Sequence, residues 1–155
     1  MDLETRTWTR EVKAKEEIKT VTHPLSDAAV ALIVTLPGFR NRRPGKLVFP
    51  NRAGGVLGNW DRAYDVIKAQ SETKDWHRHD LRRSAATILS KFGVSEAIVD
   101  TLLSHNNAFS SGNTSAAASA YILLSTQMNG LPDPLRDAVN LLAAILQKLE
   151  NREIG

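Results

Sequence analysis

The sequence contains no cysteine, which excludes disulfide bonds, cysteine nucleophiles and thiolate metal sites. It has no apolar run of about 18 residues, so no transmembrane helix is expected. The first residues, Met1–Glu4, are acidic and polar, unlike a secretory signal. We therefore expect a cytoplasmic protein with no membrane partner.

Basic charge is unevenly distributed along the 155 residues. The chain has 20 Lys+Arg and 17 Asp+Glu, which gives a formal net charge of +3 at pH 7. Residues 106–155 contain three basic and four acidic side chains, so the positive excess lies in residues 1–105. This balance permits a polyanionic partner such as nucleic acid, but does not establish one by itself.

The beginning of the chain predicts a β-hairpin. Residues 5–22 are rich in β-branched and aromatic side chains, which favour strands. The charged stretch 13–17 predicts the turn, and Pro24 ends the hairpin. A further short strand is expected at Leu47–Pro50.

Helix signals dominate the remaining chain. A helix is expected near His79, ending at Gly93, and an alanine-rich helix over residues 114–127. The sequence therefore predicts an α+β domain, mostly α, with a small antiparallel sheet near the N-terminus. Four other helices are expected to begin after the capping residues Ser26, Asn59, Ser95 and Asp133.

The densest cluster of reactive side chains is Trp76–Arg83. His79 and Arg82 are three residues apart, so they share one helix face, while Leu81 and Ala85 are expected to point inward. A guanidinium, an imidazole and free N–H groups at a helix N-terminus suit a phosphate. The same residues also fit a solvated basic helix end.

Two further residues, His105 and Tyr121, each fit a structural role when taken alone. His105 follows Leu102, Leu103 and Ser104, and its imidazole fits a cap on helix-end carbonyls. Tyr121 lies in the alanine-rich segment, where a tyrosine commonly belongs to a core.

Together these motifs resemble the tyrosine recombinase (phage integrase) family. The segment His79–Thr87 resembles the family's His-x-x-Arg box, Leu102–His105 its Leu-Gly-His-like box, and Tyr121 its nucleophile. The stretch from Trp8 to Asp27 resembles its hairpin and the Pro-Leu-Ser that follows. The resemblance extends from Leu3 to about Leu149, and implies a fold of the DNA breaking-rejoining enzyme type.

The resemblance implies a cofactor-free reaction on double-stranded DNA. Tyr121 would attack a phosphodiester, form a 3′-phosphotyrosyl bond and free a 5′-hydroxyl, with no metal and no ATP. Arg82 would clamp the non-bridging oxygens. His79 and His105 would donate hydrogen bonds or move protons.

The family also uses a hairpin lysine as general acid for the leaving oxygen. Lys15 matches best by its distance from Trp8 and Pro24, while Lys13 and Lys19 remain alternatives.

One departure concerns the family's first catalytic arginine, which lies on a helix before the hairpin. Arg6 and Arg10 lie in the predicted strand and do not match its motif. We therefore expect residues 1–155 to be the C-terminal part of an integrase catalytic domain, without the preceding helices and N-terminal DNA-binding domains. The piece alone is expected to recombine nothing, and the full-length prophage or genomic-island protein to act as a homotetramer on DNA.

The sequence also fits three alternative functions. The chain also fits a noncatalytic basic helical DNA-binding module. A metal-dependent hydrolase would use His77, His79 and His105, although no carboxylate-rich ligand set accompanies them. The apolar stripe of the last helix also fits a protein-interaction surface.

Overall fold

The computed structural model describes residues 1–14, 17–39, 47–103 and 133–153. These residues form an α+β, mostly helical fold with a two-stranded antiparallel sheet near the N-terminus, as predicted. In these ranges no helix is both long and apolar enough to span a membrane. The elements are β1 (Thr7–Ala14), β2 (Glu17–Pro24), α1 (Asp27–Thr35), α2 (Trp60–Gln70), α3 (Arg78–Lys91), α4 (Glu96–Leu102) and α5 (Pro134–Glu153).

Strands β1 and β2 form the predicted hairpin. Their register pairs Thr7 with Pro24 and Ala14 with Glu17, and it places Trp8 directly opposite His23. Directly opposed side chains in an antiparallel pair lie on the same face of the sheet. The rings of Trp8 and His23 accordingly lie 5.8 Å apart, centroid to centroid.

Helix ends follow the capping signals of the sequence. The Ser26 hydroxyl accepts a hydrogen bond from the amide of Ala29 at 3.1 Å, which satisfies one free donor of the first turn. Asn59 and Asp133 cap α2 and α5 in the same way. Gly93 follows α3 with a φ of +83°, a left-handed conformation that glycine adopts without steric cost.

The core is small and lies between α3, α4 and α5. Leu89, Val99 and Ala138 are buried at its centre, one from each helix. Helix α5 also contacts α1 and β2, so it connects the hairpin to the helical part. Partly buried side chains around this centre are Ala86, Val94, Ile98, Leu102, Leu103 and Leu142.

Arg136 of α5 joins the hairpin to the helices through hydrogen bonds. Its guanidinium donates to the backbone carbonyls of Thr5 at 3.0 Å, Arg6 at 3.3 Å and Leu25 at 3.4 Å. Arg6 has a φ of +52°, and its side chain pairs with Asp27 at the start of α1. These contacts fix where the hairpin lies relative to α5.

The predicted strand at Leu47–Pro50 is not formed. Pro50 makes only an isolated bridge to Val56. The Asn51 side chain instead closes a tight loop, since its amide oxygen accepts from the Gly55 amide at 2.9 Å and its amide nitrogen donates to the Val56 carbonyl at 3.0 Å.

The apolar stripe of α2, formed by Trp60, Tyr64 and Ile67, does not enter the core. Trp60 and Ile67 are exposed, and Tyr64 is half-buried. Tyr64 instead makes an edge-on contact with Trp76, with ring centroids 5.8 Å apart. This contact joins α2 to the segment that leads into α3.

Candidate active site

The start of α3 is set by a local hydrogen bond. His77 is the N-cap, and its backbone N–H donates to the Asp80 carboxylate at 2.9 Å. A carboxylate in the first turn also interacts favourably with the helix dipole. This cap places His79 in the first turn of α3 and Arg82 in the next.

Arg82 lies at the exposed end of the stripe of α3 residues that faces the core. It precedes Ala85, Ala86 and Leu89 at spacings of three, four and seven residues, and Leu89 is 2% exposed. The prediction that Leu81 points inward is wrong, because Leu81 is 57% exposed. Leu81 lies on the neighbouring stripe, about 100° around the helix from Arg82.

The Arg82 guanidinium reaches the end of α4. Its Nη1 donates a hydrogen bond to the backbone carbonyl of Leu103, the C-cap of α4. In the sequence, Ser104 and His105 follow Leu103 directly. Arg82 is therefore held where the chain enters the second predicted motif.

Three of the five predicted catalytic residues, Lys15, His105 and Tyr121, lie outside the described residues. The structure places the other two, His79 and Arg82, one turn apart on α3, and both side chains are solvent-exposed. Exposed basic side chains near a helix N-terminus can bind an anion.

Two hairpin residues, Arg10 and His23, contact the Trp8 ring. Burial lowers the pKa of His23 below its ordinary value of 6.5, and the positive charges of Arg10 and Arg82 lower it further. The Arg10 guanidinium lies 5.5 Å from the centroid of the Trp8 ring, which also contacts His23. One face of the hairpin therefore carries a cation, an imidazole and an aromatic ring.

The sequence motifs did not select Arg10 and His23 as site residues. The two-residue period of a strand puts Trp8 and Arg10 on one face, and the register then adds His23 to it. That pattern identifies a shared face but not the contacts that these side chains make with one another.

A separate groove of about 480 Å³ lies beside α2 and contains neither His79 nor Arg82. The groove is lined by Asp61, Tyr64, Asp65, Lys68, Trp76, His77 and Arg78.

Among the side chains that the structure describes, no three His, Cys, Asp or Glu residues are arranged to hold a metal ion.

Comparison with known proteins identifies the family to which these motifs belong. The sequence matches the phage integrase family over residues 1–113, a range that includes the hairpin, α3 and α4. Neither the curated proteins nor the solved structures gave a match. The family is one of site-specific recombinases, whose members act on DNA. Because the matched range covers well over half of its length, this chain belongs to the phage integrase family.

Proposed function

We propose that this chain carries out the chemical step of site-specific DNA recombination, through a 3′-phosphotyrosyl intermediate. One observation carries the proposal: in a phage integrase family chain, Arg82 lies one turn after His79 and bonds to Leu103, two residues before His105. The motif arginine is thereby held at the start of the segment that bears the second motif histidine.

In the proposed reaction, Tyr121 is the nucleophile. A free tyrosine has a pKa of about 10, so its hydroxyl requires a base or a cationic field to react near neutral pH. The phenolic oxygen forms a bond to phosphorus as the bond to the 5′-oxygen breaks. The phenolic proton passes to a base, and the leaving 5′-oxygen takes up a proton.

The cationic side chains stabilise the charge that develops on phosphorus. Preorganised donors aimed at such a charge are commonly the largest contribution to catalysis. Arg82 holds the non-bridging oxygens through its planar guanidinium. His79 and His105 donate hydrogen bonds or transfer protons.

A hairpin lysine completes the proposed chemistry. Lys15 protonates the leaving 5′-oxygen, with Lys13 and Lys19 as the alternatives on the same hairpin. Storing the bond energy in the phosphotyrosine allows religation without ATP, metal or another cofactor.

The proposed setting is a larger assembly. The protein acts in the cytoplasm as a homotetramer on double-stranded DNA, in prophage or genomic-island integration or excision. The 155-residue chain alone binds DNA weakly and completes no strand exchange, because no arginine in it matches the family's first catalytic motif.

The test uses a complete integrase containing this chain and a nicked duplex that carries the ends of its element. The nick lets the freed 5′-end diffuse away, so the covalent protein–DNA adduct accumulates and is counted on a denaturing gel. Tyr121→Phe should abolish the adduct and leave DNA binding intact. Tyr64→Phe is the matched control, because Tyr64 and Tyr121 are the two tyrosines in the sequence.

Two results would point to other functions. A Tyr121→Phe variant that still forms the adduct contradicts the nucleophile assignment, and DNA binding without any adduct in the unmodified enzyme indicates a noncatalytic DNA-binding module. Strand cleavage that leaves no adduct and that a chelator abolishes favours the metal-dependent hydrolase.

A further inference from the structure

An aromatic contact holds the segment that leads from α2 into α3. The Tyr64 ring of α2 meets the Trp76 ring edge-on, with centroids 5.8 Å apart and ring planes at 87°. The Trp76 indole N–H donates a hydrogen bond to the Thr73 hydroxyl at 2.7 Å. Trp76 is therefore held by two contacts, at the position directly before His77, the N-cap of α3.

Two cations lie against the same rings. The Lys68 ammonium is 5.5 Å from the centroid of the Trp76 ring, and the Arg78 guanidinium carbon is 5.6 Å from that of Tyr64. A cation within about 6 Å of a ring centroid is attracted to the ring. Because Arg78 is the first residue of α3, Tyr64 contacts the chain on both sides of the N-cap.

The backbone between α2 and α3 contains two left-handed residues. Glu72 and Asp75 have φ values of +53° and +60°, a conformation that is unfavourable for residues with a side chain. The Thr73 amide donates to the Lys68 carbonyl at 3.1 Å, so the segment begins by turning back on the end of α2. The direction in which the chain enters α3 therefore depends on contacts outside α3 itself.

These contacts lie away from the core. Helix α2 has no buried side chain, and the buried centre comes from α3, α4 and α5. Tyr64 and Trp76 line the open groove beside α2 instead. What their contact holds in place is the start of α3, where His79 follows Arg78 in the first turn.

We infer that Tyr64 and Trp76 are positioning residues, whose edge-on contact sets the start of α3 and thereby the location of the His79 imidazole. A misplacement of about 1 Å at a reacting group can cost about 100-fold in rate, so support of this kind affects the chemistry directly. The consequence for catalysis rests on the proposed function, whereas the positioning of the start of α3 does not.

The first test measures backbone order in the 155-residue chain by NMR relaxation. In Tyr64→Ala, the order parameters of Arg78 and His79 should fall from the rigid range of about 0.85 toward the flexible range below about 0.6. Tyr64→Phe keeps the ring and should keep the order. Val66→Ala is the matched control, because Val66 is an exposed residue of α2 two positions away, on a different face of the helix.

Two results of this measurement overturn the inference. One is unchanged order at His79 in Tyr64→Ala. The other is an equal loss of order at Leu89, because the contact would then support the whole fold rather than the start of α3.

A second variant tests whether the two rings act together. Trp76→Ala should lower the order at His79 as much as Tyr64→Ala does. The double variant should lose no more than either single one, because both substitutions remove the same contact. Losses that add would contradict a shared role.

The complete enzyme and the nicked duplex test the consequence for catalysis. Tyr64→Ala should slow adduct formation at saturating DNA by about 10- to 100-fold and leave DNA affinity unchanged, while Tyr64→Phe should react at the wild-type rate. Weaker DNA binding with an unchanged rate at saturation would contradict the positioning of a reacting group.

The two measurements separate this inference from the recombinase assignment. If the unmodified enzyme forms no adduct but Tyr64→Ala loses order at His79, the positioning of α3 stands and the recombination mechanism fails. If Tyr64→Ala forms the adduct at the wild-type rate, the mechanism stands and the positioning role in catalysis is overturned.

Discussion

The Arg82 guanidinium donates a hydrogen bond to the backbone carbonyl of Leu103 and so ties helix α3 to the C-terminal end of α4. A cation at helix-end carbonyls also interacts favourably with the helix dipole. The contact joins the His-x-x-Arg motif to the residue that precedes Ser104 and His105. It gives a physical reason for an arginine, rather than an apolar residue, at the exposed end of the core-facing stripe of α3.

Arg82 and Arg83 form a matched pair for testing this position. In the complete enzyme, Arg82→Ala should lower the rate of adduct formation by about 100-fold or more, as expected when a preorganised donor to a developing charge is removed. Arg83→Ala should change the rate little, because its side chain is 73% exposed and lies 3.9 Å from Asp80. Equal losses in the rate of adduct formation in both variants would show that the rate depends on overall positive charge and not on the position of the arginine.

Leu89 and Leu81 test the direction in which α3 faces. Leu89→Ala should lower the free energy of unfolding by about 2–5 kcal/mol, because its side chain is buried in the small core. Leu81→Ala should cost less than about 1 kcal/mol, since Leu81 is mostly exposed. Urea denaturation of the two variants measures the difference, and the opposite order would mean that α3 is rotated.

The hydrogen bonds that Arg136 donates to the hairpin are predicted to stabilise the fold. Arg136→Ala leaves the carbonyls of Thr5, Arg6 and Leu25 without this donor. The free energy of unfolding should fall by about 1–3 kcal/mol, the usual effect of removing a charged hydrogen-bonding partner. Arg152→Ala, near the exposed end of α5, is the control and should have almost no effect. Equal urea midpoints for Arg136→Ala and wild type would mean that these hydrogen bonds do not stabilise the fold.

His23 predicts a pH dependence of stability. Because its pKa is lowered in the folded chain, the unfolded chain takes up a proton more readily as the pH falls below about 6.5. The folded state should therefore lose stability in that window, and His23→Gln should lose less. Urea midpoints of wild type and variant, compared above and below the window, measure this difference. If the urea midpoints of wild type and His23→Gln change with pH in parallel, His23 does not contribute to the pH dependence of stability.

Local signals in the sequence were sufficient for much of the fold. The caps at Ser26, Asn59 and Asp133 predicted helix starts, because a side-chain oxygen satisfies donors within a few residues of itself. The hairpin and the stop at Gly93 followed from equally local chemistry.

The remaining features depend on contacts between distant segments. Periodicity alone could not choose between the stripe of Leu81 and that of Arg82, which lie side by side on α3. It also could not show that the apolar stripe of α2 stays exposed. The hydrogen bonds from Arg136 to the carbonyls of Thr5, Arg6 and Leu25 are tertiary contacts that no local pattern encodes. The roles of Lys15, His105 and Tyr121 stay predictions, since these residues lie outside the described ranges.

The most direct test of the central claim is the identification of the residue that becomes linked to DNA. The adduct of the complete enzyme with the nicked duplex is digested with protease and nuclease, and the modified peptide is sequenced by mass spectrometry. We predict a nucleotide joined through its 3′-phosphate to Tyr121. Attachment at any other residue, or an efficient reaction that leaves no covalent linkage, would contradict it.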